Sequence, residues 1–155
     1  MYQLEEYYNL IISNPFLKSA SLIVISVFFA KITDIIFTLI FKKFVDKTET
    51  KLDDRILQLL HKPIFYSILF VGFIISVKTA TLPDYIEFFF VGGFKTATIF
   101  IWLFVTSKIL VMSMEWVSRQ AKTNSLLQKN TLPLFNNLGK IAIGLFGAYF
   151  VFLSW

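Results

Sequence analysis

The main pattern along this chain is an alternation of long apolar stretches with short polar segments. The apolar stretches that can form helices cover residues 15–41, 63–82, 93–116 and 132–155. A helix needs roughly 20 mostly apolar residues to cross the hydrocarbon core of a bilayer. The pattern therefore predicts an all-α integral membrane protein with four transmembrane helices.

The first span has a predicted start and a charged interruption. Asn14 can cap the helix, and Pro15 suits the first helical position because its missing N–H is not needed there. Lys31 and Asp34 are three residues apart, so they share one helix face and can pair. Since a charge at mid-membrane costs about 2.5–3.5 kcal/mol, we place both near the inner boundary. Residues 1–14 are predicted to form an outer amphipathic segment.

Between the first two spans, residues 51–62 predict a short amphipathic helix. Thr50 and Asp53 have the spacing of a capping box. One face is apolar, and it consists of Leu52, Ile56, Leu59 and Leu60. Such a helix can lie on the membrane surface or pack on a neighbour. Pro63 is expected to restart the chain into the second span.

The third span is expected to follow an interfacial lead-in at residues 88–94, broken by Gly92 and Gly93. Trp116 ends this span and suits the headgroup level. A polar linker at residues 119–130 precedes the last span, which runs apolar to Trp155. We expect more chain to follow, beginning on the outer side.

Composition supports a membrane protein and indicates its orientation. Charged residues make up 16 % of the chain, against about 25 % in soluble domains. The basic residues near the two inner loops are Lys42, Lys43, Lys47, Lys51, Arg55, Lys62, Arg119, Lys122 and Lys129. The opposite side has only Lys18, Lys78 and Lys95. The positive-inside rule then puts these loops and the amphipathic helix in the cytoplasm, and both chain ends outside a bacterial-type inner membrane.

The same inventory argues against several function classes. The chain has no cysteine and a single histidine, His61, for which a helix-end role is expected. It has no phosphate-binding loop, nucleophile elbow or metal-ligand pattern. Asp53 and Asp54 point about 100° apart on a helix and fit the first turn better than acid–base chemistry. We expect no enzyme activity, cofactor, metal, small-molecule substrate or nucleic-acid partner.

Two sets of residues are candidates for a role in the membrane. Charged and aromatic residues at span ends attract lipid headgroups; these are Lys31, Asp34, Lys42, Lys43, Lys47, Arg55, Trp116 and Lys140. Small residues four apart let helix backbones approach closely in lipid; these are Ser26, Ala30, Gly72, Ser76, Gly144 and Ala148.

Two segments resemble a known family. Residues 46–84 read DKTETKLDDRILQLLHKPIFYSILFVGFIISVKTATLPD, and residues 130–155 read NTLPLFNNLGKIAIGLFGAYFVFLSW. Their order and spacing resemble the small-conductance mechanosensitive (MscS-like) channels, in members with extra helices ahead of the pore. The resemblance does not include the Gly/Ala-rich pore helix or the β-rich cytoplasmic domain. It implies a peripheral region that senses membrane tension in a homo-oligomer, a heptamer in that family, and that protects against osmotic shock.

Two other hypotheses stay open. The chain can be a small structural or assembly membrane protein that binds partner helices through its small-residue faces. A transporter or membrane-enzyme fragment is a third interpretation, because binding sites in transporters lie at broken helices and Gly92-Gly93 is a candidate break.

Overall fold

The structure is a computed structural model that describes residues 13–45, 51–120 and 132–155. In these ranges the chain forms four α-helices: α1 (Pro15–Val45), α2 (Lys51–Thr79), α3 (Asp84–Gln120) and α4 (Leu132–Ser154). The side chains of residues 41–45, 51–54 and 119–120 lie outside the description. So do the predicted outer segment up to residue 12, Thr50 of the capping box, and the linker after residue 120.

All four helices are long and apolar enough to cross a membrane. The qualifying segments are Pro15–Ile40, Arg55–Thr79, Asp84–Ser118 and Leu132–Ser154. This confirms the prediction of an all-helical chain with four possible spans. The position of residues 51–62 relative to a bilayer stays a prediction.

The predicted start of α1 is confirmed in detail. The backbone N–H of Phe16 donates to Asn14 Oδ1 at 3.1 Å, and the N–H of Lys18 donates to the Asn14 carbonyl at 3.0 Å. The Phe16 N–H is one of the first-turn donors that lack an intrahelical partner, and the bond from Lys18 to the Asn14 carbonyl is the first backbone bond of the helix. Asn14 is therefore the N-cap, with Pro15 following it.

The structure joins two segments that the sequence separates at Pro63. Residues 51–62 and the second span form one continuous helix, α2, with Pro63 inside it. A proline in a helix interior removes one backbone hydrogen bond. Pro63 is among the most deeply buried side chains, so its packing offsets that loss. The expected separate amphipathic helix is the first three turns of α2.

The expected break at Gly92-Gly93 is also absent, since α3 runs without interruption from Asp84 to Gln120. Gly92 is buried beneath the ring of Trp155, and a Cβ at this position would lie 3.1 Å from two ring carbons. Gly92 is thus a packing site for an aromatic ring. The continuous helix removes the structural basis for a broken-helix transporter site here.

A tight turn makes α2 and α3 antiparallel. The N–H of Ala80 donates to the carbonyls of Ser76 and Val77 at 3.1 and 3.2 Å, which ends α2. Thr81 then adopts a positive φ of 50°, the left-handed conformation that commonly follows a helix C-terminus. Asp84 starts α3 with an acidic first turn. Negative charges at a helix N-terminus interact favourably with the helix dipole and stabilise the helix.

The four helices form a row and do not close into a bundle. Among the described helices, α1 contacts α2, α2 contacts α3 and α3 contacts α4, with no contact between helices further apart. The buried apolar side chains are correspondingly few and mostly small: Ala30, Ala80, Val91 and Val105. Large apolar side chains cover the outside of the row. A soluble monomer rarely exposes so much contiguous apolar surface, so a lipid environment accounts for it.

Small and hydroxyl side chains hold α1 against α2. Ser19 Oγ donates to the Ser76 carbonyl at 2.9 Å, and Ser76 Oγ donates to the Ser19 carbonyl at 2.8 Å. Further along, Ser26 lies directly over Gly72, and Ala30 is fully buried. The predicted small-residue positions of α1 and α2 therefore lie in the interface between these two helices.

The α3–α4 interface uses different glycines from those expected. Gly147 contacts Leu103, and Gly139 contacts Leu110. Gly144 and Ala148 are exposed, and a Cβ added to Gly144 would meet no atom within 4 Å. Within these four helices, Gly139 and Gly147 thus take the packing role that the spacing assigns to Gly144 and Ala148.

The contact between Gly72 and Ser26 predicts a sharp difference between two glycine substitutions. In Gly72→Ala the new Cβ overlaps the Ser26 side chain, whose own Cβ cannot rotate away, so we expect a loss of about 1–3 kcal/mol from overpacking. Gly93→Ala is the matched control, because its Cβ meets nothing within 4 Å. Thermal unfolding of the purified protein in detergent measures both. Adding Ser26→Gly to Gly72→Ala should restore stability, and equal loss in the two single variants would contradict this interface.

Candidate functional site

The helix contacts place several polar residues of different helices at one level along the row. Asp34 and Thr38 of α1 lie beside His61 of α2. Lys62 of α2 and Lys108 of α3 line the same cleft. Because Gly139 lies against Leu110, the next residue on antiparallel α4, Lys140, lies near this level too. We call these residues the polar belt: Asp34, Thr38, His61, Lys62, Lys108 and Lys140.

On α1 and α2, the polar belt lies about one hydrocarbon thickness from the opposite end of the helix. At 1.5 Å per residue, Pro15 to Asp34 spans about 29 Å, and His61 to Thr79 spans about 27 Å. The hydrocarbon core is about 30 Å thick. If that opposite end lies at one membrane boundary, the belt lies at the other. This spacing favours the interpretation of Lys31 and Asp34 as boundary residues.

Asp34 has its charged contact on the neighbouring helix. His61 Nε2 lies 3.0 Å from Asp34 Oδ1 and also 3.0 Å from Thr38 Oγ1. The Thr38 hydroxyl donates to the Asp34 backbone carbonyl at 2.8 Å, so its oxygen is free to accept from Nε2–H. Asp34 Oδ1 is buried and accepts no well-aligned hydrogen bond. Its contact with His61 is therefore mainly electrostatic, and it becomes a full ion pair when the imidazole is protonated.

This geometry differs from two sequence expectations. The sequence allows Lys31 to pair with Asp34, whereas among the described side chains the ion pair of Asp34 runs to His61. His61 was expected to act at a helix C-terminus, but α2 continues to Thr79. Since Asp34 and His61 are far apart in sequence, spacing along one helix does not reveal their contact.

Lys108 is a functional candidate that the sequence analysis overlooked. It lies within the apolar run of the third span, and its Nζ is 4.4 Å from the centroid of the Phe104 ring, one turn earlier on α3. This is a cation–π distance. The sequence does contain a signal for this residue, because it is an isolated lysine inside a span. A charged side chain there costs free energy in lipid and commonly has a function.

A cleft of about 770 Å³ opens between α2 and α3 at the polar belt. Its wall combines three basic residues with a mostly apolar and aromatic surface. We call it the basic cleft, lined by Arg55, Gln58, Leu59, Lys62, Pro63, Tyr66, Phe100, Ile101, Phe104, Val105, Lys108 and Met112. Arg55 is the one member of the predicted lipid-contact set that lies in it.

Tryptophan indoles connect neighbouring helices away from the cleft. Trp102 Nε1 donates to Ser67 Oγ at 2.9 Å across the α2–α3 interface. Trp155 Nε1 donates to Thr96 Oγ1 at 2.8 Å across the α3–α4 interface. A tryptophan N–H usually needs a partner when its ring is packed. These contacts link α2, α3 and α4 by specific polar bonds as well as by apolar packing.

The other predicted lipid-contact residues are dispersed along the row. Trp116 is half-buried near the end of α3, and Lys140 is exposed on α4. Lys42 and Lys43 lie on α1, but their side chains are outside the described residues, as is the whole of Lys47. Their contact with lipid stays a prediction. Among the described residues, no group of histidine and carboxylate side chains could hold a metal ion.

Comparison with known proteins finds one partial similarity. The chain is 39 % identical over 62 residues to the small-conductance mechanosensitive channel MscMJ of Methanocaldococcus jannaschii. The match covers 40 % of this chain and 18 % of that channel. No protein-family model matches the chain, and no solved structure matches it. The similarity supports an MscS-like relationship at most, and it suggests a channel-related membrane role and not an enzyme.

The Asp34–His61 contact predicts an energetic coupling between α1 and α2. In a double-mutant cycle of Asp34→Ala and His61→Ala, we expect a coupling of about 0.5–1 kcal/mol because the two groups are in contact and only partly exposed. The stabilities of the original chain, the two single variants and the double variant are measured by thermal unfolding in detergent, at a pH where histidine is protonated. The control cycle of Lys31→Ala with Asp34→Ala should show less coupling. A larger coupling to Lys31 than to His61 would refute this assignment.

Proposed function

We propose that this chain is the peripheral, tension-sensing transmembrane region of an MscS-like mechanosensitive channel. The observation that carries the proposal is the row of four apolar helices, which in the described part of the chain are joined only through contacts between sequential helices. Partial identity to a small-conductance mechanosensitive channel adds support. The comparison covers a small share of that channel, so the activity of a whole channel is part of the proposal.

A row of helices can respond to tension for a simple physical reason. Tension favours whichever conformation occupies more membrane area. It can shift the balance between two conformations only if they interact differently with the bilayer. In a closed bundle the inner faces contact one another, whereas in a row lipid reaches both sides of each helix. Tilting is an ordinary way for helices to adapt to a changed bilayer thickness. Movement of α1 and α2 relative to α4 then changes the area of the whole region.

Named residues take distinct parts in this mechanism. Exposed apolar side chains such as Phe28 on α1 and Phe152 on α4 contact lipid. The small-residue contacts between Ser26 and Gly72 keep neighbouring helices close. The polar belt holds the row at the inner boundary, with the basic loops in the cytoplasm. The implied partners are membrane lipids and further copies of the chain. The implied location is an inner membrane, where the channel would protect the cell against osmotic shock.

The proposal predicts that helix spacing changes under tension. The chain has no cysteine, so Phe28→Cys with Phe152→Cys places spin labels on α1 and α4 without background. Both side chains are strongly exposed, at 66 % and 84 %. In liposomes, we expect the distance distribution measured by pulsed electron paramagnetic resonance to shift when tension is imposed by osmotic swelling. A Phe16→Cys, Phe28→Cys pair within α1 is the control and should not shift.

Failure of this experiment has a clear meaning. An unchanged α1–α4 distance up to vesicle rupture would contradict tension sensing. It would favour the alternative of a structural or assembly protein that binds partner helices.

The proposal also predicts that these four helices alone carry no current. The resemblance omits the pore helix, and the four described helices contact only their neighbours in the row, so they do not close around a common centre. Patch-clamp recording from liposomes that contain only this chain should therefore show no stretch-activated conductance. A reproducible conductance under suction, absent from protein-free liposomes, would show that the chain forms its own conduit and is not merely peripheral.

A further inference from the structure

We propose that the basic cleft between α2 and α3 binds one anionic phospholipid. The headgroup phosphate lies among Arg55, Lys62 and Lys108, and an acyl chain lies along Tyr66 and the aromatic residues of α3. This inference depends on the cleft itself and stands whether or not the chain senses tension.

The first argument is charge. Arg55, Lys62 and Lys108 line one cleft, and no acidic residue is among the described residues that line it. Three like charges in a shared cleft repel one another, and an anion between them removes that repulsion. The Lys108 ammonium contacts the face of the Phe104 ring, and this contact leaves its hydrogens able to bind phosphate oxygens.

The second argument is depth. Lys62 lies about 26 Å from the end of α2 at Thr79, and Lys108 lies about 36 Å from the start of α3 at Asp84. These two distances lie on either side of the hydrocarbon thickness of about 30 Å. Lipid phosphates lie just outside the hydrocarbon, so the basic groups are at the level where phosphates are found. Long basic side chains near helix ends reach towards that interface. The cost of a lysine inside the apolar run of α3 is then reduced by the headgroup that it contacts.

The third argument is the size and lining of the cleft. A volume of about 770 Å³ is far more than a free phosphate ion needs, since one water molecule occupies only about 30 Å³. The wall beyond the basic residues is apolar and aromatic, with Phe100 and Phe104 both exposed. Such a surface has no groups that bind inorganic phosphate, and it can pack against a hydrocarbon chain. The size and the lining together therefore favour a lipid over a free phosphate ion.

The net charge of the headgroup follows from the same residues. A zwitterionic headgroup such as phosphatidylcholine brings a cation close to three protein cations. A headgroup such as phosphatidylglycerol brings only the phosphate charge and hydroxyl groups. We therefore infer selectivity for anionic lipid over zwitterionic lipid.

The test measures lipid binding to the purified 155-residue chain in detergent. Native mass spectrometry gives the number and affinity of bound lipids for phosphatidylglycerol and for phosphatidylcholine of the same acyl chains. We expect one tightly retained phosphatidylglycerol per chain. Lys62→Gln with Lys108→Gln should weaken it about 30-fold, from the usual attraction per basic residue near anionic lipid.

Matched variants separate the cleft from general surface charge. Lys18→Gln with Lys78→Gln removes the same charge from exposed lysines outside the cleft and should leave the retained lipid in place. Lys108→Arg keeps the charge and should retain binding. Far-UV circular dichroism of each variant verifies that the helices are intact, and the arginine variant tests the site even if a glutamine variant fails to fold.

Three results would overturn the proposal. Equal retention of the two lipids would remove the selectivity. Equal weakening by the cleft variant and the Lys18/Lys78 variant would indicate unspecific attraction to the surface. Displacement of phosphatidylglycerol by millimolar inorganic phosphate would identify a simple anion site without a place for the acyl chain.

Discussion

A row of helices has no common interior, and this constraint governs the rest of the structure. Each helix touches at most two others, so most apolar side chains face outwards and need lipid. Between apolar helices in lipid, burial of hydrophobic surface gives no net attraction, and close approach with hydrogen bonding must hold them together. The reciprocal Ser19–Ser76 bonds and the Trp155–Thr96 bond meet that need. The glycines of α3 and α4 allow the close approach itself.

The polar belt is the second consequence of the row. In a closed bundle, inward-facing charges could pair across the centre. In a row, charged residues have neighbours on two sides at most, so Asp34 finds one partner in His61 and Lys108 finds an aromatic ring. The remaining basic residues of the belt, Lys62 and Lys140, are exposed, and Lys62 lines the basic cleft. Under the proposed lipid site, lipid phosphates are additional partners for basic groups at this level.

The proposed lipid site connects these two features. A lipid in the basic cleft would lie between α2 and α3, where a large opening separates the helices near the belt. The other end of this interface is closed by ring contacts of Phe94 with Phe70 and Phe73. The interface is thus tight at one end and open at the other, where we propose the lipid binds. Under the proposed function, a bound lipid would influence how far α1 and α2 can move relative to α3 and α4.

Local sequence alone determined the number of possible membrane spans among the described residues, their membrane-compatible length and the start of α1. Hydropathy and the Asn14 cap depend on residues that are close in the chain, so no tertiary information was needed. The proline at position 63 and the Gly92-Gly93 pair suggested boundaries, and there the local signals were wrong. Pro63 is buried inside α2, and Gly92 lies beneath Trp155, a residue distant in sequence.

Only the tertiary structure decided which faces of the helices meet. A helix that is apolar on nearly every side carries no periodic signal for its rotation, so spacing could not distinguish Gly147 from Gly144. The same ambiguity hid the partner of Asp34 and the shared cleft of Lys62 and Lys108. These contacts depend on the antiparallel alignment of neighbouring helices, which is set by turns and side-chain packing and not by the composition of any one span.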